Sequence, residues 1–253
     1  MTFPVYLRLG PLACHPHPVF ELLAYFVGFR LYLWQRRRSG DVIGGHERWW
    51  MVAAAVLGAA AGSRILFWME DPATTIARLG DPAYLLGGKT VVGGLLGGWI
   101  AVELAKRALG IMSRTGDLFA LPLAVGIAIG RIGCFLTGPS DLTWGIETTL
   151  PWGIDAGDGI RRHPAPIYEA LFLSFLAVAI ARWARRPHRG GWLFRTFMIA
   201  YLGLRLVLDA FKPDVRVALG LGAIQWACLA ALVYYVWFWR PIAGQVDPST
   251  ATS

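Results

Sequence analysis

Charge is scarce in this chain: Asp, Glu, Lys and Arg make up only 16% of its 253 residues, against 56% hydrophobic. With a mean hydropathy of +0.50, that balance excludes an ordinary soluble domain and an intrinsically disordered one, both of which need polar residues to meet water. Cysteine is scarcer still. Cys14, Cys134 and Cys228 are too few and too scattered to frame a disulfide scaffold or a metal site. Internal repeats and low-complexity tracts are missing too. The first residues lack a basic region followed by a short apolar core and a small-residue cleavage site, so the first apolar run is expected to stay as a helix.

What the chain has in quantity is apolar sequence in long runs. Runs of about 17 to 25 residues, enough to cross roughly 30 Å of hydrocarbon as helix, fall near 18–34, 49–69, 83–105, 117–137, 166–183, 192–211 and 218–239. Thirty glycines and fifteen prolines suit packed membrane helices, where small residues let backbones approach closely. The expected fold class is all-α, a polytopic membrane helix bundle with about seven transmembrane helices. It is expected to be a single domain over 1–240, with a long outer loop at 138–166 and a flexible cytoplasmic tail at 241–253. Thirteen Lys and Arg fall in the joins after runs one, three and five and at the C-terminus, six fall on the opposite side, and five lie within runs. Basic residues collect on the cytoplasmic face, which places the N-terminus outside and the C-terminus in the cytoplasm. The formal charge of +8 then reflects topology, and nucleic acid is not an expected partner.

Several charges nevertheless interrupt the apolar runs. Arg64, Lys89, Arg131 and Arg205 each do so, and an isolated charge at such depth costs several kcal/mol unless paired or hydrated. On the expected orientation, Glu21, Arg64, Lys89, Arg131, Glu169, Arg205 and Asp209 all fall toward the outer leaflet. Arg205 and Asp209 are four residues apart and share a helical face. A protein seeking only stability would gain more from apolar packing than from buried ion pairs, so these residues point to a polar cavity for an anion. Arginine's planar fork and lysine's compact charge both match phosphate oxygens, and a lipid phosphate suits the setting. Glycine is dense in the same places, at Gly87, Gly88, Gly93, Gly94, Gly97 and Gly98, then at Gly126, Gly130, Gly133 and Gly138. Such residues permit close helix crossings or expose backbone N–H groups to an anion, and periodicity does not choose between the two.

Ile129–Phe135 with Gly138, then Trp144-Gly145, Thr149–Ile154, His163-Pro164 and Ile167–Ala170 together resemble the core of the bacterial prolipoprotein diacylglyceryl transferase family. So do Tyr201–Asp209 followed by Phe211–Asp214, Ala61–Arg64, Gly93–Leu95 and Gly220–Gln225. The resemblance implies an enzyme of the bacterial inner membrane, multi-pass, with its active site toward the outer leaflet. Its expected partners are phosphatidylglycerol, membrane lipids and the signal peptide of a preprolipoprotein. The diacylglyceryl group would pass to the lipobox cysteine thiol, releasing glycerol phosphate, with no metal and no cofactor implied.

On the family pattern Arg131 binds the lipid head group, and Arg205 is the second essential arginine, held by Asp209 where the family usually has Glu. Glu169 completes the expected catalytic set, with Glu169 or Asp141 as the thiol's base. Substrate binding is expected to involve Arg131, Lys89, Arg64, Gly93, Gly94, Gly133, Cys134, Gly138, Gly145, His163 and Tyr168. His163, read as the histidine nearest the outer face, is expected to orient rather than catalyse. The sequence departs from the pattern at Glu21 for tyrosine, Val92 for histidine, Cys134 for asparagine and Pro139 for glutamate. Trp144 and Trp152 lie in the long outer loop, which exceeds ordinary connection lengths and is expected to cover the cavity mouth. Two other classes compete with the enzyme: a non-catalytic membrane protein that binds or carries an anionic phospholipid, and an ion transporter.

Overall fold

A chain surrounded by hydrocarbon must satisfy its backbone N–H and C=O groups internally, so long apolar runs become helices. The computed structural model describes residues 3–39, 43–212 and 216–239. It opens on a hairpin of β1 (Leu7–Leu9) and β2 (Leu12–Cys14), with Leu7 opposite Cys14. The helices are α1 (Pro16–Ser39), α2 (Gly45–Glu70), α3 (Pro72–Ala77), α4 (Pro82–Gly87), α5 (Val91–Ala108), α6 (Asp117–Thr137), α7 (Ala165–Trp183), α8 (Trp192–Leu208) and α9 (Ala223–Val233). A two-residue ribbon, β3 (Ile154–Asp155) with β4 (Arg161–Arg162), ties the long loop before α7. Among the described residues, α2, α6 and α7 are long and apolar enough to cross a membrane by length and composition, and Ala223–Phe238 is a shorter apolar helix. Each of the seven apolar runs contains a helix. The expected tail at 241–253 lies outside the described residues.

The third run differs from its expected form. Its helix begins only at Val91, because Thr90 is an N-cap whose Oγ1 accepts from the Gly93 N–H at 3.1 Å. Ser63 on α2 fixes that break, accepting from the Thr90 N–H at 2.9 Å and donating to the Thr90 carbonyl at 2.8 Å. The apolar residues before it form the separate turn of α4, capped by Asp81.

The chain forms two compact units. The first comprises, of the described residues, 3–39 and 114–212, and the second 43–113 and 216–239. In the second, α2 and α5 cross antiparallel on glycine: a Cβ on Gly58 or Gly62 would collide with the backbone at Gly97, and one on Gly93 with the Gly62 carbonyl.

In the first unit, α1 runs antiparallel to α6. Gly28 faces the Pro122 carbonyl, Gly126 the Ala24 carbonyl, and Gly133 the side chain of Phe20. Asp117, at the start of α6, accepts from the Gly191 and Phe194 N–H groups at 2.6 and 2.9 Å and so caps α8. A Cβ on Gly133 would lie 2.6 Å from Phe20 Cβ, whereas one on Gly130 would meet nothing within 4 Å. Gly133→Leu is therefore expected to destabilise the protein by roughly 1–3 kcal/mol in detergent thermal unfolding, and Gly130→Ala to change it by less than about 0.5 kcal/mol.

Polarity is inverted relative to a water-soluble bundle. On α1 an apolar stripe of Leu22, Tyr25, Phe26 and Phe29 is exposed, as are Leu171, Phe175 and Val178 on α7, while Arg131, Glu169, Arg205 and Asp209 are buried. Hydrocarbon solvent selects that arrangement.

Candidate active site

Four segments of the first unit bring their charges into one buried chain. The C-terminal half of α6 supplies Arg131, the first turns of α7 supply Glu169, and the last turn of α8 supplies Arg205. The 3-10 turn after α8 adds Asp209 and leads to Lys212. Glu169 sits at the centre, 2% exposed. Its Oε1 accepts from the Tyr201 hydroxyl at 2.7 Å and lies 2.8 Å from Arg131 Nε, an ion pair without aligned hydrogen-bond geometry. Its Oε2 accepts from Arg205 Nη1 at 2.9 Å. Arg205 Nη2 donates in turn to Asp209 Oδ1 at 2.6 Å, and Lys212 Nζ lies 3.5 Å from that same oxygen.

Alternation of sign is what makes such burial tolerable, since each unpaired charge here would cost several kcal/mol. Three cations face two carboxylates among these five groups, so the chain carries one excess positive charge. Arg205 Nε and Asp209 Oδ2 are buried without a hydrogen-bond partner among the described residues. The pairing of Arg205 with Asp209 follows the shared face read from the sequence. Tyr201 and Lys212 lie within the family motifs but carry no role expected from sequence; the Tyr201–Glu169 contact spans 32 positions, whereas Lys212 is three residues from Asp209.

A second cluster adjoins the first through Arg131. Arg131 Nη1 lies 3.9 Å from Cys134 Sγ, one turn further along α6. Cys134 Sγ is 3.9 Å from His17 Nδ1, and His17 Nδ1 is 3.0 Å from Asp141 Oδ1. Glu21 Oε2, one turn along α1, is 3.8 Å from His17 Nε2, and Thr143 Oγ1 donates to Asp141 Oδ2 at 3.0 Å. Burial alone would raise the Asp141 carboxyl, but its hydrogen bonds from His17 and Cys134 outweigh burial and hold it below the ordinary carboxylate range. The histidine in this cluster is His17, and His163 braces the neighbouring loop. His17 is carried there by the α1–α6 crossing that Gly133 permits.

The long loop is fastened over the same end of the unit. Gly138 follows α6 at φ +85°, where a Cβ would also strike Phe3. Phe3, Phe135 and Trp144 form one aromatic cluster with centroids 5.3 to 5.7 Å apart, and Trp144 is 3% exposed. Gly145 and Ile146 donate to the carbonyls of His163 and Phe211 at 2.9 and 2.7 Å, and a Cβ on Gly145 would lie 2.7 Å from His163 Cβ. His163 Nδ1 is 3.3 Å from the Tyr168 hydroxyl. His163 and Tyr168 therefore brace the loop against α7, while Trp152 is exposed.

The remaining expected site residues belong to the second unit. Arg64 donates to the carbonyls of Ala60 and Leu86 at 3.2 and 3.4 Å. Lys89 is exposed at the break between α4 and α5. Gly93 is packed against α2, and a Cβ on Gly94 would sit 3.7 Å from the Ala59 carbonyl. Gly93 serves the helix crossing, whereas Gly94 has room for a Cβ.

The family model for prolipoprotein diacylglyceryl transferase matches residues 4–240. This chain belongs to that family. It is 33% identical over 263 residues to the phosphatidylglycerol-prolipoprotein diacylglyceryl transferase of Methylibium petroleiphilum, covering 94% of this chain and 96% of that protein. Proteins of the same name from Bordetella parapertussis and Nitratidesulfovibrio vulgaris are 31% and 32% identical, each match covering 94% of this chain and 96% and 94% of those proteins.

Membership in the diacylglyceryl transferase family gives the departures a place in space. Cys134 sits with Asp141 in the second cluster, and Pro139 opens the 3-10 turn that delivers Asp141 to it. Glu21 lies against His17 in the same group. Val92 is in the second unit, 1% exposed at the start of α5. Two of the four departures, Glu21 and Cys134, thus lie beside one histidine, and a third opens the turn that carries its Asp141 partner.

Proposed function

We propose that this protein transfers the diacylglyceryl group of phosphatidylglycerol to the lipobox cysteine thiol in the signal peptide of a preprolipoprotein. The observation that carries the reading is the buried chain Arg131–Glu169–Arg205–Asp209–Lys212, built from the motifs that characterise the family resemblance and carrying one excess positive charge. The acceptor sulfur attacks the glyceryl carbon that bears the phosphate ester. A C–S bond forms, the C–O bond breaks, and glycerol phosphate departs with the electron pair and an added negative charge. Arginine donors already in place, in a site shielded from water, stabilise that charge without reorganising. Glu169 is proposed as the anchor that holds both guanidinium groups, because donors occupy both of its oxygens.

In the membrane we place seven spans, with the N-terminus outside, the loop at 138–166 facing outward and the site opening toward the outer leaflet of the bacterial inner membrane. The distribution of Lys and Arg supports that orientation. In the second unit, the exposed Lys89 is proposed to meet a phospholipid phosphate, and Arg64, held by carbonyls, to support that segment.

The pairing of both arginines with internal carboxylates also favours a second reading, a protein that binds an anionic phospholipid without chemistry. Purified protein incubated with phosphatidylglycerol vesicles and a lipobox peptide separates the two. The enzyme is expected to yield the peptide thioether by mass spectrometry, and a carrier would retain the lipid and yield none.

A further inference from the structure

We propose that His17, Cys134 and Asp141 form a zinc-binding site that activates the acceptor thiol. This inference rests on the transferase reading and extends it to how the thiol loses its proton. One ligand atom from each residue lies within 4.8 Å of the other two. Zinc bonds of roughly 2.0 to 2.3 Å in a tetrahedron place ligand atoms about 3.3 to 3.8 Å apart. The observed edges of 3.0 Å from His17 to Asp141 and 3.9 Å from His17 to Cys134 bracket that range, so small rotations would seat the ion. Imidazole nitrogen, thiolate and carboxylate are all zinc ligands, and three protein ligands leave the fourth position for an incoming group, as in catalytic rather than structural sites.

The outer partners are also in place. Glu21 lies 3.8 Å from His17 Nε2, the nitrogen opposite the ligating one, and Thr143 holds the Asp141 oxygen that faces away from His17. The Thr143 hydrogen bond orients the carboxylate, as outer partners do at metal sites, and Glu21 sets a negative charge beside the imidazole. Arg131 Nη1 lies 3.9 Å from Cys134 Sγ, so the site adjoins the buried ion-pair chain. His17 and Asp141 keep 28% and 14% of their side-chain surface exposed, whereas Cys134 is buried, which leaves a way in beside the arginine assigned to the lipid phosphate.

The chemistry asks for such a site. A free thiol with a pKa of about 8.5 is only about 3% thiolate at pH 7, and a coordinating thiol is deprotonated outright. The acceptor thiol would take the fourth position and release its proton to solvent, and the bound sulfur would then displace the phosphate. Zinc with one thiolate and one carboxylate is electrically neutral. The acceptor thiolate adds one negative charge, next to the Arg131 guanidinium.

The test measures metal first and turnover second. Full-length protein in detergent, stripped with a chelator and titrated with Co²⁺, is expected to bind one equivalent with visible d–d bands and a near-ultraviolet thiolate-to-cobalt band. Cys134→Ser should lose the thiolate band, and His17→Gln or Asp141→Asn should weaken binding about 10- to 100-fold or more, with thermal unfolding showing that each variant is folded. Stripped wild type should transfer at least about 30-fold more slowly at pH 7, and Zn²⁺ should restore the rate. Absence of binding, or binding that all three variants leave unchanged, overturns the site. Full transfer by metal-free protein overturns its role in thiol activation and leaves a metal-free His17–Asp141 pair as the base, with the transferase reading intact. Metal binding at the three residues with no transfer in any metal state would sink the transferase reading and keep the site.

Discussion

Arg131→Ala is expected to lower the rate of thioether formation by about 10²- to 10³-fold, the usual cost of removing one preorganised donor from a site of developing negative charge. Arg131 is the link between the two clusters: Nε meets Glu169 and Nη1 faces Cys134. Losing it removes positive charge beside Cys134 and, on the proposed reading, from the departing phosphate. Glu169 keeps Arg205 and Tyr201 as partners, so the alanine variant should remain folded. Arg131→Lys keeps the charge without the planar fork and should fall between the two. Initial rates by mass spectrometry, beside thermal unfolding of each variant, measure the effect. An alanine variant that is folded and within about threefold of wild type would remove Arg131 from the transition state.

Glu169→Gln is expected to cause the largest loss of stability, roughly 3–5 kcal/mol. Glu169 is the shared anion of Arg131 and Arg205. An amide there leaves two buried guanidinium groups with mutual repulsion and only Asp209 to offset it. At about 2–4 °C per kcal/mol for a chain of this size, the midpoint in detergent should fall by roughly 6 to 20 °C. Tyr201→Phe removes only one hydroxyl donor to the same oxygen and should cost about 1 kcal/mol. Equal midpoints for Glu169→Gln and wild type would mean that the arginines draw their compensation from elsewhere.

Helix placement was largely legible, because hydrocarbon forces a long apolar run to satisfy its own backbone and leaves little choice of conformation. The exception is informative. A hydropathy window carries the third run unbroken through Gly88 and Thr90, but the Ser63–Thr90 bonds that split it join residues 27 apart. The candidate site divides along the same line. Arg205 and Asp209 are one turn apart and read directly as a pair, while Glu169 reaches Arg205 across 36 positions and Cys134 meets His17 across 117. His17 precedes the first apolar run, so no buried charge drew notice to it, and a single cysteine gave no metal spacing. Its significance depends on where a glycine on α6 lets α1 approach. The resemblance marked Cys134 and Glu21 as departures, and only their proximity to His17 gives them a joint chemical sense.

The most direct measurement is the stoichiometry of the two products. Purified protein, phosphatidylglycerol and a lipobox peptide should give one glycerol phosphate for each peptide thioether formed, and neither product should accumulate when the peptide cysteine is replaced by serine. Glycerol phosphate released without thioether, or lipid bound with neither product formed, would contradict diacylglyceryl transfer at the Arg131 site.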